Sequence, residues 1–399
     1  MMRRKIHGFA AAALLPLLIA GCSKKEETST VKVGILHSLT GVMAQSEQPV
    51  SDAEQMAIDE INAAGGVLGR RIEVVLRDGE SKPEVFADRA RELLTDEKVA
   101  TIFGCWTSAS RKEVKKVVED PDIYGLLWYP LQYEGLEASP NIMYMGAAPN
   151  QQVVPAVEYC CNSFGPRVFI IGSDYVFPRT AGAIVNSYLP TLGAECVGEV
   201  YVDMDCEHFE DVIGQIKAAK PDVILNTLNG VSNMPFFYQL KEAGISAEDI
   251  PVMSFSISEE EVRYIGANLL KGHYVSWSYL QTIASMQNMS FVSRFKNLFG
   301  GNSVIGDPME AGYIAVHLWA AACEKAGTFN VEDVRMAAKG LSFDAPEGMV
   351  TIDGENQHLK KRVRVGRVNE DGLIDEVWRS SGIVKPDPYM STYVWAKGL

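Results

Sequence analysis

Residues 103–137 read FGCWTSASRKEVKKVVEDPDIYGLLWYPLQYEGLE, and this stretch decides the fold. Two short apolar runs, Val99 to Phe103 and Tyr124 to Leu127, have the length of buried strands. Between them the pattern predicts a helix from about Ser110 to Glu119, stopped by Asp120-Pro121. Strand, loop, helix, strand, loop is one βαβ unit. Both loops of such a unit leave the carboxyl edge of the sheet, where open α/β folds bind ligands. Those loops carry Cys105-Trp106-Thr107-Ser108 and Trp128-Tyr129-Pro130-Leu131-Gln132-Tyr133. They bring aromatic rings and hydroxyls to one crevice with almost no charge, which suits a small, planar, neutral, hydrogen-bonding ligand. Trp and Tyr at strand ends also serve as core edge or domain interface. The hydroxyls and amide of Thr107, Ser108 and Gln132 at the same edge favour binding.

The pattern extends in both directions. Upstream, Val31, Val33 and Ile35 alternate with Lys32 and Gly34 as a first strand, followed by a helix over about Val50–Ala63. A strand at Arg71–Leu76 and a helix at Glu84–Leu94 complete one α/β domain with a parallel sheet. Downstream the plan restarts. A helix is expected over Asn150–Ser163 with Asn150 as N-cap, then strands near Val168–Gly172, Ala194–Val202, Val223–Leu225 and Val252, separated by helices. Helices at Phe291–Leu298, Pro308–Lys325 (with Asp307 as N-cap) and Val331–Ala338 follow, then strands within the last sixty or so residues. The expectation is two doubly wound parallel-sheet lobes joined by a multi-strand hinge. Lobe one covers 31–148, with 277–330 returning to it. Lobe two covers 149–276, with 331–399 shared between it and the hinge. Several chain crossings between lobes act as a hinge.

The chain has 399 residues, 47% hydrophobic and 22% charged, as expected of large soluble cores. A formal net charge of −14 argues against nucleic-acid binding, because no basic field replaces phosphate counterions. The N-terminus reads as an address. Arg3, Arg4 and Lys5 precede an apolar run, Phe9 to Ala20, that is too short to span a bilayer comfortably. It ends in Leu18-Ile19-Ala20-Gly21-Cys22, which resembles a bacterial lipobox, with Cys22 the residue lipidated and 23–30 a polar tether.

The six His residues are dispersed without metal spacing, and no C-x-x-C pair occurs. Cys160 and Cys161 are adjacent, and Cys196 with Cys206 is left open as a bridge. No G-x-S-x-G, Walker loop or G-x-G-x-x-G appears, so neither a nucleophile with its base nor a metal is signalled. A triad assembled only in space stays open.

The 103–137 stretch resembles the urea- and short-amide-binding branch of the type I periplasmic binding proteins, the solute receptors of ABC importers. The resemblance spans nearly all the chain past Cys22. It is carried by GILHSLTG at 34–41, NAAGGVLGR at 62–70, GCWTSASRK at 104–112, WYPLQYEG at 128–135, SPNI at 139–142, GAAPNQQ at 146–152 and GSDYVFPR at 172–179. DPMEA at 307–311, FDAPEG at 343–348 and KPDPY at 385–389 continue it. It implies a ligand held between the lobes by Trp106, Thr107, Ser108, Tyr129, Leu131 and Tyr133 from lobe one. From lobe two it implies Asp174, Tyr175, Asn229, Gly230 and Ser256. Asp174 fits an ordinary turn residue as well. It implies no cofactor, no metal and no catalysis. The partners implied are a small neutral ligand, ABC permease subunits and a membrane reached through the lipid anchor, which places the protein in the periplasm or at the cell surface.

Urea carries one carbonyl and four N–H donors, and each buried donor left unpaired costs roughly 1–3 kcal/mol. Hydroxyls of Thr107, Ser108, Tyr129 and Tyr133 and the Asp174 carboxylate are the expected acceptors, with Trp106 as a flat wall beside Tyr133. The bulk of Trp106 fills space an amino acid's charged groups would need, so urea ranks first. A short aliphatic amide comes next, then a branched-chain amino acid. A cytosolic amide sensor and an exported amide hydrolase are the rival functions.

Overall fold

The computed structural model describes residues 29–135 and 137–399. The leader, Cys22 and residues 23–28 of the tether lie outside the described residues, as does Leu136.

Lobe one is built on β1 (Thr30–His37), α1 (Ala44–Ala63), β2 (Arg71–Asp78), α2 (Pro83–Thr95), β3 (Ile102–Gly104), α3 (Ser108–Val118), β4 (Leu127–Tyr129) and β5 (Ile142–Tyr144). Its strands pair in parallel in the order β2-β1-β3-β4-β5. The order reverses between β1 and β3, so the loops after these two strands part there and open a crevice.

Lobe two follows with α4 (Val153–Ser163), β6 (Arg167–Ser173), α5 (Val176–Tyr188), β7 (Glu195–Val202), α6 (Glu210–Ala219), β8 (Val223–Thr227), α7 (Asn233–Glu242), β9 (Val252–Ser254), α8 (Glu259–Ile265), α9 (Ala267–Leu270) and β10 (Tyr274–Trp277). The chain then supplies α10 (Met286–Phe299), α11 (Asp307–Ala326), α12 (Val331–Ala338), β11 (Ser342–Ala345), β12 (Gly348–Ile352), β13 (Leu359–Lys360), β14 (Arg364–Val368) and β15 (Ile374–Arg379).

The second sheet runs β15-β14-β10-β9-β8-β6-β7. It is parallel through β7–β10, and β14 and β15 add an antiparallel edge. Its order reverses between β6 and β8, and the loops after them face the crevice of lobe one. Helix α11 packs along α1, and α12 packs on α11, so this late helical stretch covers lobe one. The chain passes between the sheets at 145–152, 278–285 and 361–363.

Several boundaries differ from the sequence reading, each for a local reason. Helix α1 starts at Ala44, six residues before the expected Val50, and runs through Pro49. The expected start rested on the apolar spacing of Ala53, Met56, Ala57 and Ile61, which says nothing about the polar turn before Pro49. Pro49 sits in the second turn, and the turn before it carries Glu47.

Helix α3 starts at Ser108, because the Thr107 hydroxyl caps it by accepting the Ser110 N–H at 3.0 Å. Strand β4 ends at Tyr129, two residues beyond the expected Tyr124–Leu127 run, which puts Trp128 in the core beside Phe103 rather than in the loop.

Asp307 belongs to the first turn of α11 and does not cap it. Its carboxylate accepts the N–H groups of Ser278 and Tyr279 at 2.9 and 2.8 Å, which fastens the second interlobe crossing to the helix. Asn150 is likewise no cap. Its amide donates to the Lys385 carbonyl and accepts the Asp387 N–H, holding the C-terminal tail. The six cysteines among the described residues are free thiols, Cys196 and Cys206 included.

Candidate functional site

The loop after β3 is set by two backbone features. Gly104 has φ +144°, and a Cβ there would sit 2.0 Å from the Leu36 carbonyl oxygen, so only glycine lets β3 close on β1 at this point. Cys105 follows at φ +65°, an uncommon conformation for a residue with a side chain. Its N–H donates to the same Leu36 carbonyl at 3.0 Å. The kink turns Trp106 out of lobe one toward lobe two.

The lobes touch along this seam. The Trp106 indole Nε1 points at Asn229 Oδ1, 3.5 Å away in the loop after β8. Gln132 Nε2 donates to the Phe255 carbonyl and to Ser256 Oγ, both at 3.3 Å. Gly230, at φ +66°, has room for no Cβ, since one would lie 2.9 Å from the Val42 carbonyl of lobe one. The lobes are therefore closed on each other.

A cavity of about 190 Å3 lies on the seam. Lobe one lines it with Met43, Glu47, Ser81, Phe86 and Thr107 among others, and lobe two with Tyr175 and Met204. No Lys, Arg or His is among its lining residues. Burial pushes the Tyr175 phenol well above its usual range, so it stays a neutral donor. Glu47 is buried against the cavity. Its Oε2 accepts the Ser38 N–H at 2.8 Å and lies 3.4 Å from His37 Nδ1. The other ring nitrogen of His37 lies 3.2 Å from both Glu54 oxygens. Burial alone lowers the basicity of His37, but Glu54 and Glu47 outweigh it and raise the ring to about 9. His37 is an imidazolium between two carboxylates at neutral pH.

Behind the seam lies a buried ion pair. Arg111, from α3, donates through Nη2 to both Glu134 oxygens at 2.7 and 2.9 Å and to Glu137 at 2.8 Å. Burial pushes the Glu134 carboxyl up, and the Arg111 charge overrides this to hold it near 2. Ser108 donates its hydroxyl to Glu134 Oε2 at 2.6 Å. The guanidinium also lies over the rings of Tyr129 and Tyr133, 4.9 and 5.1 Å from their centroids. Tyr129 spends its hydroxyl on the Trp106 carbonyl at 2.6 Å. Ser108 and Tyr129 thus brace the Trp106 loop, and their hydrogens are already committed.

The residues expected at the site divide into three groups. The structure brings Trp106, Thr107, Tyr175, Asn229, Gly230 and Ser256 to the seam. Ser108 and Tyr129 lie one layer behind it, and Leu131 is buried beside Gln132. Two residues are elsewhere. Tyr133 shares no wall with Trp106; its ring packs edge-on against Tyr144, His358 and Tyr389, and its hydroxyl meets the Glu137 backbone. The chain reverses at Pro130-Leu131-Gln132, which sends Gln132 to the seam and Tyr133 away from it. Asp174 points to solvent, 43% exposed, and pairs with Arg179 at 2.5 Å. It behaves as a turn residue. Glu47, with His37 beneath it, is the seam carboxylate that sequence reasoning missed.

A periplasmic binding protein domain model matches residues 31–394, and the chain belongs to that family. A Leu/Ile/Val-binding protein homolog 7 of Brucella melitensis is 21% identical over 407 residues, covering 96% of this chain and 98% of that protein. A limonene hydroxylase of Geobacillus stearothermophilus is 28% identical over 130 residues, which is 33% of this chain and 24% of that protein. The fold matches a solute-binding protein of an ABC transporter from Rhodopseudomonas palustris BisB5, solved with 3,4-dihydroxybenzoic acid, at a TM-score of 0.80. That pair is 22% identical, with 90% of this chain and 99% of that one covered. The fold is the type I periplasmic binding protein fold.

Proposed function

We propose that this protein is the extracytoplasmic receptor of an ABC importer, tethered to a membrane through Cys22. It captures urea, or a short uncharged amide, between its lobes and releases it unchanged to a permease. One observation carries the choice of ligand. The seam cavity presents a buried carboxylate, Glu47, and no cationic side chain. A site of that polarity rewards N–H donors and penalises a carboxylate brought from water, since a buried charge without a partner is costly.

The same observation speaks against carrying over what the relatives' names state. A benzoate or a branched-chain amino acid brings a carboxylate, and the buried guanidinium of Arg111 is already shared by Glu134 and Glu137. The cavity, about 190 Å3, has room for urea or a short amide, and its size alone does not separate these from larger guests. The test is a thermal-shift panel of urea, acetamide, formamide, leucine and 4-hydroxybenzoate. A ligand at about a hundred times its Kd stabilises by about 2.7 kcal/mol, so the true ligand raises the melting temperature and the rest do not. Stabilisation by leucine or 4-hydroxybenzoate alone is the result that removes this reading.

A further inference from the structure

We infer that Glu47 is the residue that selects the ligand, accepting an N–H of the solute on its free carboxylate oxygen and turning carboxylates away. The inference rests on the amide reading above and goes further by naming the discriminating group and widening the ligand class. Glu47 is 1% exposed and lines the seam cavity. Its Oε2 is occupied by the Ser38 N–H and approached by His37. Among the described residues no protein hydrogen bond reaches Oε1, and this oxygen is not one of the fully enclosed atoms left without a partner, so it opens to the cavity. An oxygen placed this way is free to accept an N–H from a guest in the cavity.

The charge around it points the same way. Two carboxyl groups, Glu47 and Glu54, flank the single His37 ring beside a cavity without cationic lining. The cations behind the seam are spoken for, since Arg111 and Lys112 pair with Glu134 and Glu137. The ligand class is therefore a small planar group rich in N–H, neutral or cationic. Urea and acetamide belong to it, and so does formamidinium, which has N–H donors and no acceptor.

The substitution Glu47→Gln tests this with a change of sign. The Ser38 N–H needs an acceptor, so the new carbonyl stays where Oε2 was and the NH2 turns into the cavity. The site's acceptor becomes a donor. Calorimetric titration of wild-type protein and E47Q with urea, acetamide, acetate and formamidinium reads the result, with circular dichroism melts to check folding. The expected outcome is at least a tenfold loss for urea and acetamide, a larger loss for formamidinium, and no loss or a gain for acetate. Unchanged urea affinity, or an equal loss for all four, overturns the inference.

If E47Q does not fold, competition on wild-type protein decides. Displacement of urea by formamidinium supports the assignment, and no displacement at a hundredfold excess overturns it. Binding of acetate without urea or acetamide by the wild type overturns the amide reading and this inference together. Binding of urea with an unaltered E47Q preference overturns this inference alone.

Discussion

Trp106 of lobe one and Asn229 of lobe two face each other across the seam, indole Nε1 to amide Oδ1 at 3.5 Å. Each stands in the loop after a strand beside the point where its sheet reverses order, β3 in one and β8 in the other. The two sheets thus offer equivalent edges to each other, and the contact between them closes the cleft. A hydrogen bond of this kind contributes about 0.5–1.5 kcal/mol net. Asn229→Ala is therefore expected to weaken ligand binding by roughly three- to tenfold, mainly through faster release. Stopped-flow release rates check it, and an unchanged rate removes Asn229 from the closure.

The Arg111–Glu134 pair calls for a different experiment. Both side chains are fully buried, and Glu134 also holds the Ser108 hydroxyl. Glu134→Ala strands a buried guanidinium, a change that costs about 3–5 kcal/mol. Thermal melts are the suitable measure, since urea is the expected ligand and a poor choice of denaturant. A loss below about 1 kcal/mol would show that Glu137 alone satisfies Arg111.

Gly104 is expected to tolerate no side chain. Its φ of +144° and the Leu36 carbonyl 2.0 Å from a built Cβ act together. Gly104→Ala forces β3 away from β1, with a cost of at least about 2 kcal/mol and loss of the Trp106 position. Melting temperature and intrinsic tryptophan fluorescence in the presence of ligand report the two effects separately.

Stability should fall toward both ends of the pH range. His37 is raised to about 9 in the folded chain, so its contribution is complete below its ordinary value near 6.5 and is lost as pH rises through 9. Glu259 is raised to about 8 by burial, one oxygen accepting the Gln281 N–H and the other without a partner. Its share is complete below about 4.5 and is lost through pH 8. Both make the protein less stable in alkali. His273 acts in the opposite sense. Burial lowers it to about 4 while its Nδ1 accepts the Val252 N–H, so its share is present above 6.5 and lost as pH falls through 4. Melts from pH 4 to 10 should peak between these limits, and Glu259→Gln should flatten the alkaline fall. A melting temperature constant from pH 7 to 10 contradicts the assignment of His37 and Glu259.

Most of the architecture is legible in the sequence because it depends on period and punctuation. Alternation at Val31–Ile35, the apolar run at Val168–Ile171 and the breaks at Gly65-Gly66 and Asp120-Pro121 each act locally. The antiparallel edge made by β14 and β15 is harder to see, because Arg364 to Arg379 carries no pattern that fixes its partner. At the site, loops at strand ends are legible, and Trp106 follows from them, while Tyr175 and Asn229 come from the family resemblance. The direction of each side chain within a loop is not. Tyr133 and Gln132 are neighbours, and one residue of phase sends the ring to Tyr144 and His358 and the amide to Ser256. Glu47 is hidden because the apolar spacing marks the helix only from about Val50, while α1 begins six residues earlier, at Ala44, and brings the carboxylate to the seam.

The central claim is that the closed seam holds a small uncharged N–H donor, and calorimetric titration of the purified wild-type protein with urea tests it most directly. Saturable one-site heat with urea or acetamide, and none with leucine or 4-hydroxybenzoate, is the result expected from Glu47 and a cavity without cations. Saturation by leucine or 4-hydroxybenzoate, with no heat from either amide, would contradict it.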